Sequence, residues 1–282
     1  MENKVALVLE GGGLRGNFTS GVLDYFLDNN IHIPYVIGVS MGACNGSTYV
    51  SEQRGRNYRV NTEFLRDKRY FSYSNLITKG ELFGMDFIFG DLPKNILPFD
   101  MDTFMNSKKE FIAVATDCNT GQAIYFRKGD SEDMYEVCKA SSSLPLISNM
   151  VDMNGKKYLD GAIADAIPVK KAIEDGNNKV VLVLTRPLSY MKKPLKLGRL
   201  IEYKYRQYPN LINTLLKAHG VYNETLEYIR QLEEEGKAFV IRPREHLQVG
   251  RIERNKEKID GIYKLGYEMA KENMDNLIEF IN

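Results

Sequence analysis

Lys4-Val5-Ala6-Leu7-Val8-Leu9-Glu10-Gly11-Gly12-Gly13-Leu14-Arg15-Gly16 is the stretch on which the reading of this chain turns. The five apolar residues Val5 to Leu9 follow one another without a break, the mark of a strand buried on both faces in a parallel sheet. The glycines after it remove side chains where the backbone must turn, and their amides can face an anion. Working outward, Phe18, Val22, Leu23, Phe26 and Leu27 fall on one face of a helix. Ile33 to Val39 is the next strand, and it runs into Gly38-Val39-Ser40-Met41-Gly42 and a helix over 41–50. A serine flanked by glycines at two-residue spacing, between a strand and a helix, has the form of a nucleophile elbow.

Residues 54–110 read as an excursion from the sheet that covers a cleft. They hold the apolar run Leu82-Phe83-Gly84-Met85-Asp86-Phe87-Ile88-Phe89 and then Phe99. That run fits either an acyl trough or the packing of the excursion onto the main body. Strands follow at Glu110–Asp117 and 123–126, a hairpin pair, then a helix from Met134 that stops before Pro145. A brief strand, Lys157 to Leu159, leads to Asp160-Gly161. Helix 168–173, strand 179–185, helices over 200–217 and 221–235, strand 237–242 and a last helix over 253–281 complete the pattern. Strands alternating with helices predict an α/β fold, a three-layer α/β/α sandwich with a central, mostly parallel sheet. The simplest organisation is one domain over 1–282, with the cover at 54–110 and a less typical extension at 190–282. The last helix fits a brace for the sheet or a homodimer surface.

The 282 residues carry a formal charge of +1, so no global field favours nucleic acid. Cys44, Cys118 and Cys138 are widely spaced and odd in number, which suits buried thiols in a reducing compartment. No cysteine–histidine cluster suggests a metal. The start lacks the features of a signal peptide, and no apolar run is long enough to span a bilayer, so a cytoplasmic location is expected. Lys192-Lys193-Pro194-Leu195-Lys196 with Arg199, Lys204 and Arg206 is locally basic. It suits peripheral contact with anionic head groups or a plain solvated surface.

Gly11, Gly13 and Gly16 match a dinucleotide fingerprint, but no Asp or Glu lies between 29 and 51 to hold a ribose, and no Gly-Lys-Ser or Gly-Lys-Thr is present. The loop makes better sense as an oxyanion hole at Gly11, Gly12 and Gly13, each good donor being worth roughly 3 kcal/mol in a transition state. Arg15 either supports that loop or is a surface charge at a helix start. For the base, His32 precedes the elbow strand and falls at its far end, while His219 and His246 satisfy the chain order of a serine triad. Asp160, freed by a glycine after a short strand, is the stronger candidate, although a free Asp with a pKa near about 4 is a weak base for serine.

Four blocks together resemble the patatin-like phospholipases, in their bacterial branch: Gly11–Gly16, Gly38–Gly42, Ala140-Ser141-Ser142-Ser143-Leu144-Pro145 and Asp160-Gly161-Ala162. The similarity covers roughly residues 4–186. Asp117 with Thr120-Gly121 is also similar to a strand and turn of the family, while Ala162 stands where the family often has glycine. The resemblance implies a serine acyl hydrolase acting on lipid or other acyl esters through a Ser40–Asp160 dyad and a glycine-loop oxyanion hole, with no catalytic histidine, no metal and no organic cofactor. It implies that the Ala140 block lines the approach to the site. A non-catalytic lipid-binding protein of the same fold is the alternative.

Overall fold

The computed structural model describes residues 4–131, 133–250 and 252–282. Its sheet has eight strands: β1 (Val5–Leu9), β2 (Tyr35–Val39), β3 (Glu110–Asp117), β4 (Ala123–Arg127), β5 (Val151–Met153), β6 (Lys156–Asp160), β7 (Lys179–Val183) and β8 (Ala238–Ile241). The order is β5-β6-β3-β2-β1-β7-β8, with β4 also paired to β3. The five strands β3, β2, β1, β7 and β8 run parallel; β4, β5 and β6 add antiparallel pairs at one end. The expected hairpin of β3 and β4 is present, and β5 is a strand that hydropathy did not reveal because Val151-Asp152-Met153 is too short to show a period.

The helices are α1 (Asn17–Asp28), α2 (Met41–Val50), α3 (Arg56–Glu63), α4 (Tyr73–Lys79), α5 (Met101–Asn106), α6 (Met134–Ser142), α7 (Val169–Glu174), α8 (Gly198–Lys204), α9 (Pro209–Glu234), α10 (Lys256–Glu272) and α11 (Met274–Ile281). Strand alternation assigns them to layers. Leu7, Leu9, Phe111, Val181 and Val183 point to α1, α2, α6 and α10; Ala6, Val8, Ile112, Val180 and Leu182 point to α7 and α9. The result is the three-layer sandwich that the alternation predicts.

The C-terminal helices differ from expectation. Pro209 starts α9, which then runs unbroken through Gly220, where two helices were expected. Its buried Leu211, Leu215, Tyr222, Leu226 and Ile229 outweigh the roughly 1 kcal/mol that an internal glycine costs. The last helix breaks at Asn273 into α10 and α11. α10 lies across α1. A Cβ at Gly21 would come 2.0 Å from Tyr263 O, and one at Gly266 would come 2.0 Å from Phe18 O, so only paired glycines permit this crossing. Tyr263 Oη donates to Asp24 (2.8 Å) and Tyr267 Oη to Asp28 (3.0 Å) at the same contact. Among the described residues no helix is long and apolar enough to cross a membrane.

Residues 87–96 of the excursion form a π-helical run that contains Pro93. Proline cannot donate to a helical ladder, and a widened turn accommodates it. Val60, Tyr70, Phe71, Leu82, Phe87 and Leu92 make a separate small core beneath this cover.

Candidate active site

Ser40 caps α2 at the end of β2 with φ 57° and ψ −126°, a conformation that side-chain-bearing residues rarely adopt. Three contacts hold it there. Its N–H donates to Ser141 Oγ (2.8 Å), and its carbonyl accepts from Ala43 N (2.9 Å) and Cys44 N (3.1 Å). The elbow glycines are required for space: a Cβ at Gly42 would lie 2.4 Å from Leu9 O, and one at Gly38 would lie 2.5 Å from Gly42 O. The glycine loop packs directly on the serine, since a Cβ at Gly11 would sit 3.1 Å from Ser40 Cβ. Gly13 has φ 56° and, with Ser40, lines the same cavity. Arg15 is buried, which removes the reading as a surface charge.

Strand register brings Asp160 to the elbow. Val39 pairs with Val114, and Asp160 pairs with the next residue, Ala115. β4 occupies the opposite edge of β3 along 112–116, so β2 and β6 share the remaining edge end to end. The C-terminal ends of these two strands therefore meet, one carrying Ser40 and the other Asp160. Both residues are buried, Ser40 being 6% and Asp160 1% exposed. Asp160 Oδ1 accepts from Ala162 N (2.8 Å), its carbonyl from Thr116 Oγ1 (2.9 Å), and its N–H donates to Ser143 O (2.8 Å). The end of α6 thus clamps both residues, through Ser141 on Ser40 and Ser143 on Asp160. Gly161 is also a matter of space, because a Cβ there would lie 2.2 Å from Val114 O.

The histidines lie elsewhere. His219 is on α9, with Nδ1 3.0 Å from Leu216 O; His246 is exposed and rests edge-on to Tyr190; His32 is exposed beside Glu52, 3.9 Å away. None of the three lines the cavity at Ser40. Among the described residues no cluster of His, Cys, Asp or Glu is arranged to hold a metal ion.

The cavity holds about 1090 Å³ counting its open mouth. Phe83, Met85, Ile88, Phe89, Leu92 and Phe99 of the excursion form much of its wall. Within residues 82–99, Leu82 and Phe87 pack the small core of the excursion, Leu92 belongs to both that core and the cavity wall, and Phe83, Met85, Ile88 and Phe89 face the cavity. Low polarity marks this space. Burial pushes the Cys44 thiol up to about 11 and the Arg56 guanidinium down to about 10. Arg56 donates to Leu97 O (2.8 Å) and stacks over Phe99 at 5.2 Å, tying the π-helical cover to α3.

One support escaped the sequence reading. Glu10, immediately before the glycine loop, is buried; Oε2 accepts from Thr185 N (2.6 Å) and Thr185 Oγ1 (3.1 Å), and Oε1 accepts from Tyr222 Oη (2.7 Å). An acid directly after an all-apolar strand was the available signal. Its partners, 175 and 212 residues away, were not readable.

The patatin-like phospholipase family model matches residues 7–173, and the chain belongs to that family. A model described only as a domain of unknown function, DUF6363, matches residues 208–282. The uncharacterized protein YjjU of Escherichia coli strain K12 is 33% identical over 189 residues, covering 65% of this chain; the matched region spans 52% of that protein's length. The crystal structure of VipD from Legionella pneumophila aligns over 98% of this chain and 67% of its own, with a TM-score of 0.51 and 12% identity, a likeness of fold.

Proposed function

We propose that this protein is a serine acyl hydrolase that cleaves carboxylic esters of lipids through a Ser40–Asp160 dyad. One observation carries the reading: a strained serine and a buried aspartate meet where two strands end on one edge of β3, beside a glycine loop and at the wall of an apolar cavity. Ser40 Oγ attacks the acyl carbonyl while Asp160 takes its proton. Amides of the Gly11–Gly13 loop, chiefly near Gly12 and Gly13, receive the oxyanion. Asp160 then gives the proton to the departing alcohol, and water, deprotonated by Asp160, releases the acyl group from Ser40. The cavity takes the acyl chain. Neither metal nor organic cofactor enters these steps.

Strain at Ser40 favours this reading over a passive lipid carrier, which has no use for a hydroxyl held at φ 57°. The whole chain acts as one domain in this scheme: β8 extends the sheet and Tyr222 of α9 supports Glu10 behind the loop. Its three unpaired thiols suit a reducing compartment, and its substrate suits contact with a membrane surface.

A fluorophosphonate probe and a panel of acyl esters test the proposal. Ser40→Ala is expected to lose labelling and turnover, and Asp160→Asn to lose turnover. His219→Ala and His246→Ala should keep most activity. Equal turnover by wild type, Ser40→Ala and Asp160→Asn would end the proposal.

A further inference from the structure

We infer that the strap of residues 187–203, together with α4, is the face by which this protein seats on a lipid bilayer carrying anionic head groups. The inference deepens the reading of the site as a lipid acyl hydrolase and rests on it for its purpose. Leu188, Met191, Leu195, Leu197, Leu200 and Tyr203 are exposed, Tyr203 by 71%. Six large apolar side chains within sixteen residues, all facing water, are a costly arrangement for a segment with no partner surface.

Their exposure does not come from a loose segment. Lys192 N donates to Asn223 Oδ1 (2.8 Å) and Asn223 Nδ2 donates to Lys192 O (3.0 Å), so the strap is pinned to α9. Tyr190 packs edge-on against Tyr222. The strap is thus anchored at Lys192 and Tyr190, next to Met191. Pro194 lies in a non-helical stretch, so the apolar groups are offered by an extended segment followed by the short α8.

Charge selects the partner. Residues 186–206 carry Arg186, Lys192, Lys193, Lys196, Arg199, Lys204 and Arg206 against the single acid Glu202, in a chain whose formal charge is only +1. Basic side chains interleaved with apolar ones match an anionic interface: the cations meet head groups while the apolar chains enter the acyl boundary. Another protein surface would not need this sign of charge around every apolar group.

Position relative to the cavity makes the face useful. The 144–149 loop begins at Leu144, which lines the cavity. On one side Leu146 N donates to Tyr205 Oη (2.8 Å) and Lys204 Nζ donates to Leu146 O (3.3 Å). On the other side Leu82 N donates to Ile147 O (2.8 Å) and Asn149 Nδ2 donates to Lys79 O (2.9 Å), next to α4. α4 itself exposes Tyr73 and Ile77, the latter by 88%. Two elements with exposed apolar side chains, the strap being the basic one, therefore flank one loop that begins at the wall of the cavity that Ser40 lines.

The test uses vesicles of phosphatidylcholine alone and of phosphatidylcholine with phosphatidylglycerol, with co-sedimentation of the full chain carrying Ser40→Ala so that no lipid is turned over. Binding is expected to the anionic vesicles, at least tenfold above the neutral ones, and to fall steeply between 0.05 and 0.5 M salt, as charge at a surface is screened. K193E with K196E, and separately L195A with L197A, should each cut binding to anionic vesicles about tenfold or more. In the chain with Ser40 intact, the same pairs should leave hydrolysis of a water-soluble short-chain ester unchanged, which reads folding independently. Absence of binding to both vesicles, equal binding to both, or binding that both double variants retain would overturn the inference. Loss of ester turnover in the intact chain with vesicle binding preserved would instead overturn the catalytic reading and leave this face standing.

Discussion

Replacing Ser40 by glycine rather than alanine separates the cost of the elbow from its chemistry. Both variants lack the hydroxyl, and both should be inactive. Alanine keeps a Cβ at φ 57° and ψ −126°, where side-chain-bearing residues store about 1–3 kcal/mol. Glycine removes that strain, but enlarges the unfolded ensemble by about 0.4–1 kcal/mol. The net expectation is that Ser40→Gly is more stable than Ser40→Ala by about 1–2 kcal/mol. At about 2.1 cal/mol/K per residue over 282 residues, the unfolding entropy is about 0.6 kcal/mol/K, so the gap in Tm is about 2–3 °C. Calorimetry and urea unfolding of the two variants, under the same buffer, give both quantities. The hydrogen bond from residue 40 N–H to Ser141 Oγ is available to either variant and cancels in the comparison. A Ser40→Gly protein that melts at or below the Ser40→Ala protein would refute the claim that the fold holds residue 40 against a local preference.

Three further outcomes are expected. Tyr222→Phe leaves Glu10 Oε1 without its hydroxyl donor inside the protein; a buried acceptor left unsatisfied costs about 1–3 kcal/mol, so Tm should drop by about 2–5 °C and kcat on an activated ester should fall as the glycine loop loosens, whereas unchanged melting would remove Glu10 from its supporting role. Burial raises the Asp165 carboxyl above its ordinary value, with Tyr125 Oη donating to it at 2.9 Å. The native state therefore gains stability from Asp165 below about pH 4 and loses it as pH rises through the raised value, so the stability of Asp165→Asn relative to wild type should be greater at pH 7 than at pH 4 in paired thermal melts, and a pH-independent difference would contradict this. Burial also pushes Cys44 up to about 11, Cys118 up to about 12 and Cys138 upward. Ellman's reagent at pH 8 should find all three thiols only after unfolding in guanidinium, and rapid reaction of the native protein would show a more open cavity wall.

Local chemistry explains which parts were readable from the chain. Val5–Leu9 announces a central strand because both faces of it must be apolar, and the spacing of Gly38, Ser40 and Gly42 announces an elbow because backbone crowding there leaves no room for Cβ atoms. Helix limits in the C-terminal third differ from what the sequence predicts. At Gly220 the packing of Tyr222 and Leu226 outweighs the local signal and the helix continues, whereas at Asn273 a weak local signal does mark a break. Local propensity amounts to a few tenths of a kcal/mol per residue, and buried side chains override it.

By itself the amino-acid order determined the alternating α/β architecture, the elbow and the glycine loop, all of which arise from residues within a few positions of one another. The sequence also offered Asp160 as the acid, but only the tertiary structure shows how strand register carries it to the β2 end and what holds the loop. Asp160 arrives through its pairing with Ala115, one residue beyond the partner of Val39, and a register of that kind is settled between distant strands. Tyr222 reaches Glu10 across 212 residues because α9 lies on the face of the sheet that Ala6 and Val8 present. Such meetings depend on how buried surfaces fit together, and no window of neighbouring residues contains that information.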